Sequence, residues 1–225
     1  MNQLPAISSY EIKVSRTEQK IPVVNGVHLH SIYNPFREAE NFVATNIEAL
    51  KNKNEVLVLG LGFAYHINSI IEKMTEYHGN DFRIIVLEPN SSVHNDCLEF
   101  NLLQKKNVLV YSGFAIKELY SDLDLIHFLL RKPSVIAHPA SFNLYQIYFK
   151  NFLTFTAPKS IGEIQNFVEV AEIKKYLRQF NESMSFDDAF YGEVAQKTHF
   201  DTMDFFTMAF VEMTKTSLNN NSGEA

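Results

Sequence analysis

Apolar and polar positions alternate with a period that changes several times along the chain, and each change marks an element. Ile21 to Tyr33 (IPVVNGVHLHSIY) sets Asn25-Gly26 between two β-prone runs. Both turn positions need positive φ, so the stretch predicts a hairpin. In its second strand Val27, Leu29, Ser31 and Tyr33 share one face and His28, His30 and Ile32 the other. Asn34-Pro35 then reads as an N-cap followed by proline at the first helical position. Phe36, Ala39, Phe42, Val43 and Ile47 recur at helical spacing, which predicts a helix to about Leu50.

After a polar connector the pattern becomes a continuous apolar run, Val56 to Leu59, as expected of a strand covered on both faces. Gly60-Leu61-Gly62 turns the chain into a predicted helix over Tyr65 to Tyr77. The alternation then repeats, with strands at Phe82–Leu87, Val108–Tyr111 and Ser134–His138. Helical patterns cover Pro89–Leu103, Ala115–Leu130 and Phe142–Phe152. Strands alternating with helices argue for βαβ units. Beyond Pro158 the pattern is helical only, over Ile161–Phe180 and Asp187–Leu218. There Phe200, Met203, Phe206, Phe210 and Met213 form a stripe that reads as a packing face. The final NNNSGEA reads as a frayed tail.

The expected fold is therefore α/β. It is a three-layer Rossmann-like arrangement with a mostly parallel sheet flanked by helices, an N-terminal β-hairpin and C-terminal helices. The expected parts are a hairpin segment over 1–34, packed on the main domain, and a Rossmann-like domain over 35–158. A helical extension over 159–218 and a disordered tail over 219–225 follow.

Composition adds exclusions. The 225 residues carry 20 basic and 26 acidic side chains, a net charge of −6, and the basic pairs are scattered. That is no footprint for nucleic acid. One cysteine, Cys97, excludes an internal disulfide framework. No apolar run reaches the roughly 18 residues of a membrane span, and the first 20 residues lack a signal-like apolar core, so a cytoplasmic location is expected.

The chemistry is expected at the carboxyl ends of the strands, where open parallel sheets bind ligands. Gly60 and Gly62 permit close backbone approach, and the helix that follows, through Ala64, Tyr65 and His66, offers free N–H groups to an anion. Glycine is missing at Tyr65, where a dinucleotide fingerprint would need it. Read as a methyltransferase-type loop, Gly60-x-Gly62-x-Ala64 is acceptable apart from its last residue, but Val58 stands where an acidic residue is usual. Glu88, followed by Asn90, ends the second parallel strand and is placed to accept from ribose hydroxyls, or to serve as an N-terminal helix carboxylate. The helix from Pro35 runs back along its strand, so His30, Ser31, Arg37 and Glu38 are expected near the turn, with Arg37 suited to a phosphate. No helical histidine pair or cysteine partner supports a metal, and none is expected. G-x-S-x-G is absent, which argues against a serine triad.

Three stretches together, VHLHSIYNPFREAE (Val27–Glu40), VLGLGFAYH (Val58–His66) and VLEPN (Val86–Asn90), resemble the N-terminal part of the motility accessory factor family. These bacterial proteins are associated with flagellin glycosylation, and their neighbours resemble pterin pyrophosphokinase-like proteins. The resemblance implies a Rossmann-like accessory domain that binds a nucleotide, a nucleotide-sugar or a protein partner. Full-length members carry a second, sialyltransferase-like domain whose G-P-S motif does not occur in this sequence. The chain is thus expected to be a stand-alone relative or the N-terminal piece of something longer. Two alternatives stay open: an S-adenosylmethionine-dependent methyltransferase, and a non-catalytic interaction domain forming a homo-oligomer or docking a protein through its C-terminal helices. Whether the chain is an enzyme, and which cofactor it uses, is left open by the residues.

Overall fold

The computed structural model describes residues 4–209, which divide into two compact units between Phe155 and Thr156. The first unit is α/β. Its centre is a four-stranded, wholly parallel sheet of β4 (Glu55–Leu59), β5 (Arg83–Glu88), β6 (Val108–Ser112) and β7 (Ser134–Ala137), in the order β6-β5-β4-β7. Val56 to Leu59 and Ile84 to Leu87 are all but fully buried, which is why these strands read as unbroken apolar runs rather than alternating ones. Val58 pairs with Val86 on one side and Ile136 on the other. The chain steps outward from β4 to β5 to β6, then returns across β4 to add β7. The reversal of strand order lies between β4 and β7, and their carboxyl ends open there.

The N-terminal hairpin is present, but it is part of a three-stranded antiparallel sheet, β1 (Tyr10–Val14), β2 (Lys20–Val24) and β3 (Val27–His28). β1 went unread because YEIKV mixes charges into a mostly exposed edge strand. The second hairpin strand is also shorter than the pattern predicts: pairing stops at His28, so His30 and Ser31 lie in a loop. Asn25 (φ 50) and Gly26 (φ 77) supply the left-handed turn. Tyr65 Oη donates to the Lys20 carbonyl at 2.8 Å, and Tyr10 Oη donates to Asp96, tying this sheet to the helices of the unit.

The helices after β3 are α1 (Pro35–Thr45) and α2 (Ile47–Asn52), where the periodicity predicted one. Asn46 breaks it by donating its amide to the Phe42 carbonyl at 2.8 Å, in competition with the helical ladder. Asn34 caps α1 by accepting from the Arg37 N–H at 3.0 Å, with Pro35 first in the helix. α3 (Tyr65–His78) follows the glycine turn and packs on α1 and α2, and α4 (Ser91–Glu99) follows β5. The expected helix over Ala115–Leu130 is α5 (Ile116–Leu119) and α6 (Leu123–Leu130), restarted by the Asp122 cap. That over Phe142–Phe152 is α7 (Pro139–Leu144) and α8 (Gln146–Leu153).

The second unit is helical. The helix expected over Ile161–Phe180 is two, α9 (Ile161–Gln165), started by a Ser160/Glu163 capping box, and α10 (Ala171–Leu177). Of the segment expected over Asp187–Leu218, Asp188–Val194 is a π-helical stretch and residues 202–209 are α-helical, with an interruption between them. Phe210, Met213 and the tail lie outside the described residues. Ile161, Tyr176, Leu177, Phe180, Ala189, Phe190 and Val194 form this unit's own core. Among the described residues, no helix is long and apolar enough to cross a membrane.

Candidate functional site

The turn that follows β4 is where the sequence concentrates its signals. Gly60 (φ 103), Gly62 (φ 50) and Ala64 (φ 59) all adopt left-handed backbone, so the chain reverses within five residues into α3. Every residue from Gly60 to Ile67 is buried. The space that glycine opens is filled by the protein itself. A Cβ on Gly60 would stand 2.2 Å from the Ser141 Cβ, and one on Gly62 would stand 2.4 Å from His30 Nε2.

The turn's N–H groups are consumed in the same way. Leu61 and Gly62 donate to Glu88 Oε2 at 2.9 and 3.4 Å, and Phe63 donates to His30 Nε2 at 2.8 Å. The expectation of a Glu88 carboxylate presented to a ribose is corrected by this geometry. Glu88 is fully buried, and its Oε1 accepts from the Asn90 N–H at 3.1 Å. Burial raises its carboxyl to about 7, against the lowering effect of those three backbone donors. Asn90 caps α4 by accepting from the Ser92 N–H at 3.0 Å, while its Nδ2 and the buried Tyr145 hydroxyl lack hydrogen-bond partners.

The other sequence-selected residues divide. Ser31 donates its N–H to Glu38 Oε2 at 2.8 Å, and its hydroxyl accepts from the Tyr33 and Asn34 N–H groups. The Tyr65 ring stands edge-on to His30 at 5.0 Å. Arg37 is exposed at the start of α1, one residue before Glu38. His30 and His66, paired in the sequence reading only by proximity to the turn, do come together, and a third imidazole joins them. His138, at the end of β7, is stacked on His66 with ring centroids 4.2 Å apart and planes 6° apart; His30 lies 5.1 Å from His138 and 5.6 Å from His66.

Hydrogen bonds fix the tautomers of two of these rings. His30 accepts at Nε2, so its proton sits on Nδ1, 3.5 Å from Glu38 Oε2. His66 donates from Nε2 to the Gly60 carbonyl at 3.0 Å, which leaves the lone pair on Nδ1 buried and without a partner. His138 Nδ1 shares a 2.9 Å hydrogen bond with the Ser141 hydroxyl. Burial and the neighbouring rings hold His66 down at about 3 and His138 well below the usual histidine range, so both are neutral. For Glu38, burial pushes upward, but hydrogen bonds from His30 and the Ser31 N–H outweigh it and lower the carboxyl.

These groups line an open cavity of about 260 Å³ bounded by His30, Glu38, Asn41, Phe42, Thr45, His66, His138, Pro139 and Ala140. It lies where the strand order reverses, at the ends of β4 and β7, the place an open parallel sheet offers a ligand. The sequence named the end of β7 but could not place it beside β4.

Three imidazoles whose ligand atoms lie within 4.8 Å of one another invite a metal reading. The ring arrangement does not suit it. An imidazole binds a metal along the lone pair in its own plane, and two stacked rings 6° from parallel do not aim lone pairs at one point. His30 would need to bind through Nδ1 while Nε2 still accepts from Phe63, which asks for an imidazolate.

No protein-family model matches the chain, and no curated protein matches it. Among solved structures it is similar to the crystal structure of MnmC2 from Aquifex aeolicus, at 15% identity and a TM-score of 0.36, over 72% of this chain and 63% of that one. The chain therefore spans less than two thirds of that protein, and at this distance the likeness adds nothing to the reading of the site.

Proposed function

We propose that the first unit is a Rossmann-like ligand-holding module, of the accessory kind implied by the resemblance to the motility accessory factors. Its ligand is a nucleotide-sugar, held at the β4/β7 switch point rather than on the glycine turn. One observation carries this reading. The turn's N–H groups and its glycine clearances are taken up by Glu88, His30 and Ser141, whereas the space beside His66 and His138 is open. A cavity of about 260 Å³ is smaller than a whole nucleotide-sugar, so only one end of the ligand enters it. The exposed Arg37, next to Glu38 on α1, is then placed to meet a phosphate outside. An S-adenosylmethionine-dependent methyltransferase would need Glu88 and the turn amides released.

The test is a thermal-shift screen against cytidine and uridine nucleotide-sugars, S-adenosylmethionine, S-adenosylhomocysteine and NAD. A ligand at ~100 times its dissociation constant stabilises the fold by about 2.7 kcal/mol. A rise with a nucleotide-sugar, reduced in Arg37→Ala, is expected. A rise with the adenosyl compounds alone would replace this reading with the methyltransferase.

A further inference from the structure

The cavity at the switch point is lined by neither lysine nor arginine. His66 and His138 are neutral, the Glu38 carboxylate lines the wall, and Arg37 is not among its lining residues. What the wall offers is hydrogen-bonding capacity of set polarity. His66 Nδ1 is a buried acceptor with no donor. Glu38 Oε2 already takes the Ser31 N–H and faces His30 Nδ1, which leaves Oε1 uncommitted. Asn41 adds an amide and the Phe42 ring an apolar face, while the Thr45 hydroxyl is taken up by the Phe42 carbonyl and the Asn46 amide. An unpaired buried acceptor is costly, so a donor that reaches His66 Nδ1 is favoured by relieving that cost.

From these features we infer that the His66–Glu38 cavity is a subsite for an uncharged, hydroxyl-bearing ring of monosaccharide size, with ligand hydroxyls donating to His66 Nδ1 and Glu38. A hydroxylated ring matches the wall because each hydroxyl both donates and accepts, and its C–H faces pack on Phe42 and Pro139. The subsite deepens the proposed function by naming which end of the ligand enters, and it rests on that reading only in taking the cavity as the ligand site.

The experiment uses the full chain with histidine side chains labelled with ¹⁵N. Glucose, galactose, mannose and N-acetylglucosamine are titrated separately, with inorganic phosphate and Zn²⁺ as the contrasting probes. At least one sugar is expected to move the His66 Nδ1 resonance toward the hydrogen-bonded range, while phosphate and zinc leave it in place. Glu38→Gln should weaken that sugar about tenfold, the equivalent of about 1.4 kcal/mol. Ala140→Trp, which puts bulk into the cavity wall, should abolish sugar binding with the protein still melting cooperatively, and guards against a Glu38 variant that folds poorly.

The inference is overturned if no sugar moves His66, if phosphate or zinc moves it instead, or if Ala140→Trp binds sugar as the wild type does. Failure here is separable from failure of the proposed function. A nucleotide-sugar that raises the melting temperature without moving His66 removes the subsite alone; a monosaccharide that moves His66 when no nucleotide-sugar binds removes the accessory reading alone.

Discussion

Glu88 and the two stacked histidines respond to protons in opposite senses, because burial penalises the charged form of each. The interior raises Glu88 to about 7, so the folded protein holds its proton more tightly than the unfolded chain does. That contribution to stability is full below the ordinary carboxylate range and is lost as pH rises through about 7. The interior lowers His66 to about 3, and His138 in the same direction, so the folded protein binds these protons more weakly. Their contribution is present above the usual histidine value near 6.5 and is lost as pH falls below it. Between pH ~4.5 and ~6.5 two imidazoles oppose one carboxyl, and acid destabilises. Above ~6.5 Glu88 alone is still titrating, and a rise in pH destabilises. The melting temperature should therefore peak near pH 6.5. Glu88→Gln should flatten the decline on the neutral side and steepen the acid limb. Circular-dichroism melts from pH 4.5 to 8 read this directly, and a wild-type and variant pair with parallel profiles would show that Glu88 does not titrate in this range.

Among the elements, the join between the glycine turn and α7 is the tightest. Gly60 faces Ser141, which sits in α7 because Pro139 starts that helix straight after β7. Gly60→Ala adds both backbone strain at φ 103 and a contact of 2.2 Å, whereas Gly26→Ala adds strain at φ 77 in open space. In urea melts Gly26→Ala should cost about 1–2 kcal/mol, the left-handed penalty alone. Gly60→Ala should cost more than ~3 kcal/mol. Adding Ser141→Gly should recover the steric part and leave the strain; no recovery would mean that the close approach is not what limits position 60. The same join explains what the sequence concealed. Val56–Leu59, the glycine turn and Val86–Asn90 were legible because apolar runs and positive-φ residues are local signals. That Ser141 and His138 belong to the site was not, since it depends on β7 pairing with β4 rather than β6. Strand order follows from packing of whole elements, and no residue near His138 encodes it alone. Asn46 and Asp122 were missed for a smaller reason: a side chain competing for backbone hydrogen bonds interrupts a helix without disturbing its apolar spacing.

At the scale of the molecule, two separate cores carry the chain. The larger runs from Val24 to Phe152 and includes every buried hydrophobic residue of the parallel sheet; the smaller joins Ile161, Tyr176, Phe180, Phe190 and their neighbours. A unit of about 155 residues can bury ~68–70% of its unfolded surface, enough to fold without help, whereas one of about 70 is marginal. Residues 1–155 expressed alone should therefore unfold cooperatively in urea, with the His66 and His138 imidazole resonances of the full chain. Residues 156–225 alone should give a broad, shallow transition. The contrast matters for function, because every residue of the switch-point cavity belongs to the first unit. Ligand binding should survive the cut with its dissociation constant unchanged. The second unit exposes Phe205 and Phe206 at 59% and 60%. If the number of chains per particle in sedimentation falls on removing residues 156–225 while binding persists, holding a ligand and assembling with a partner are separate tasks of the two units. If binding is lost with them, the cavity depends on more than the residues that line it, and the first unit is not the module proposed.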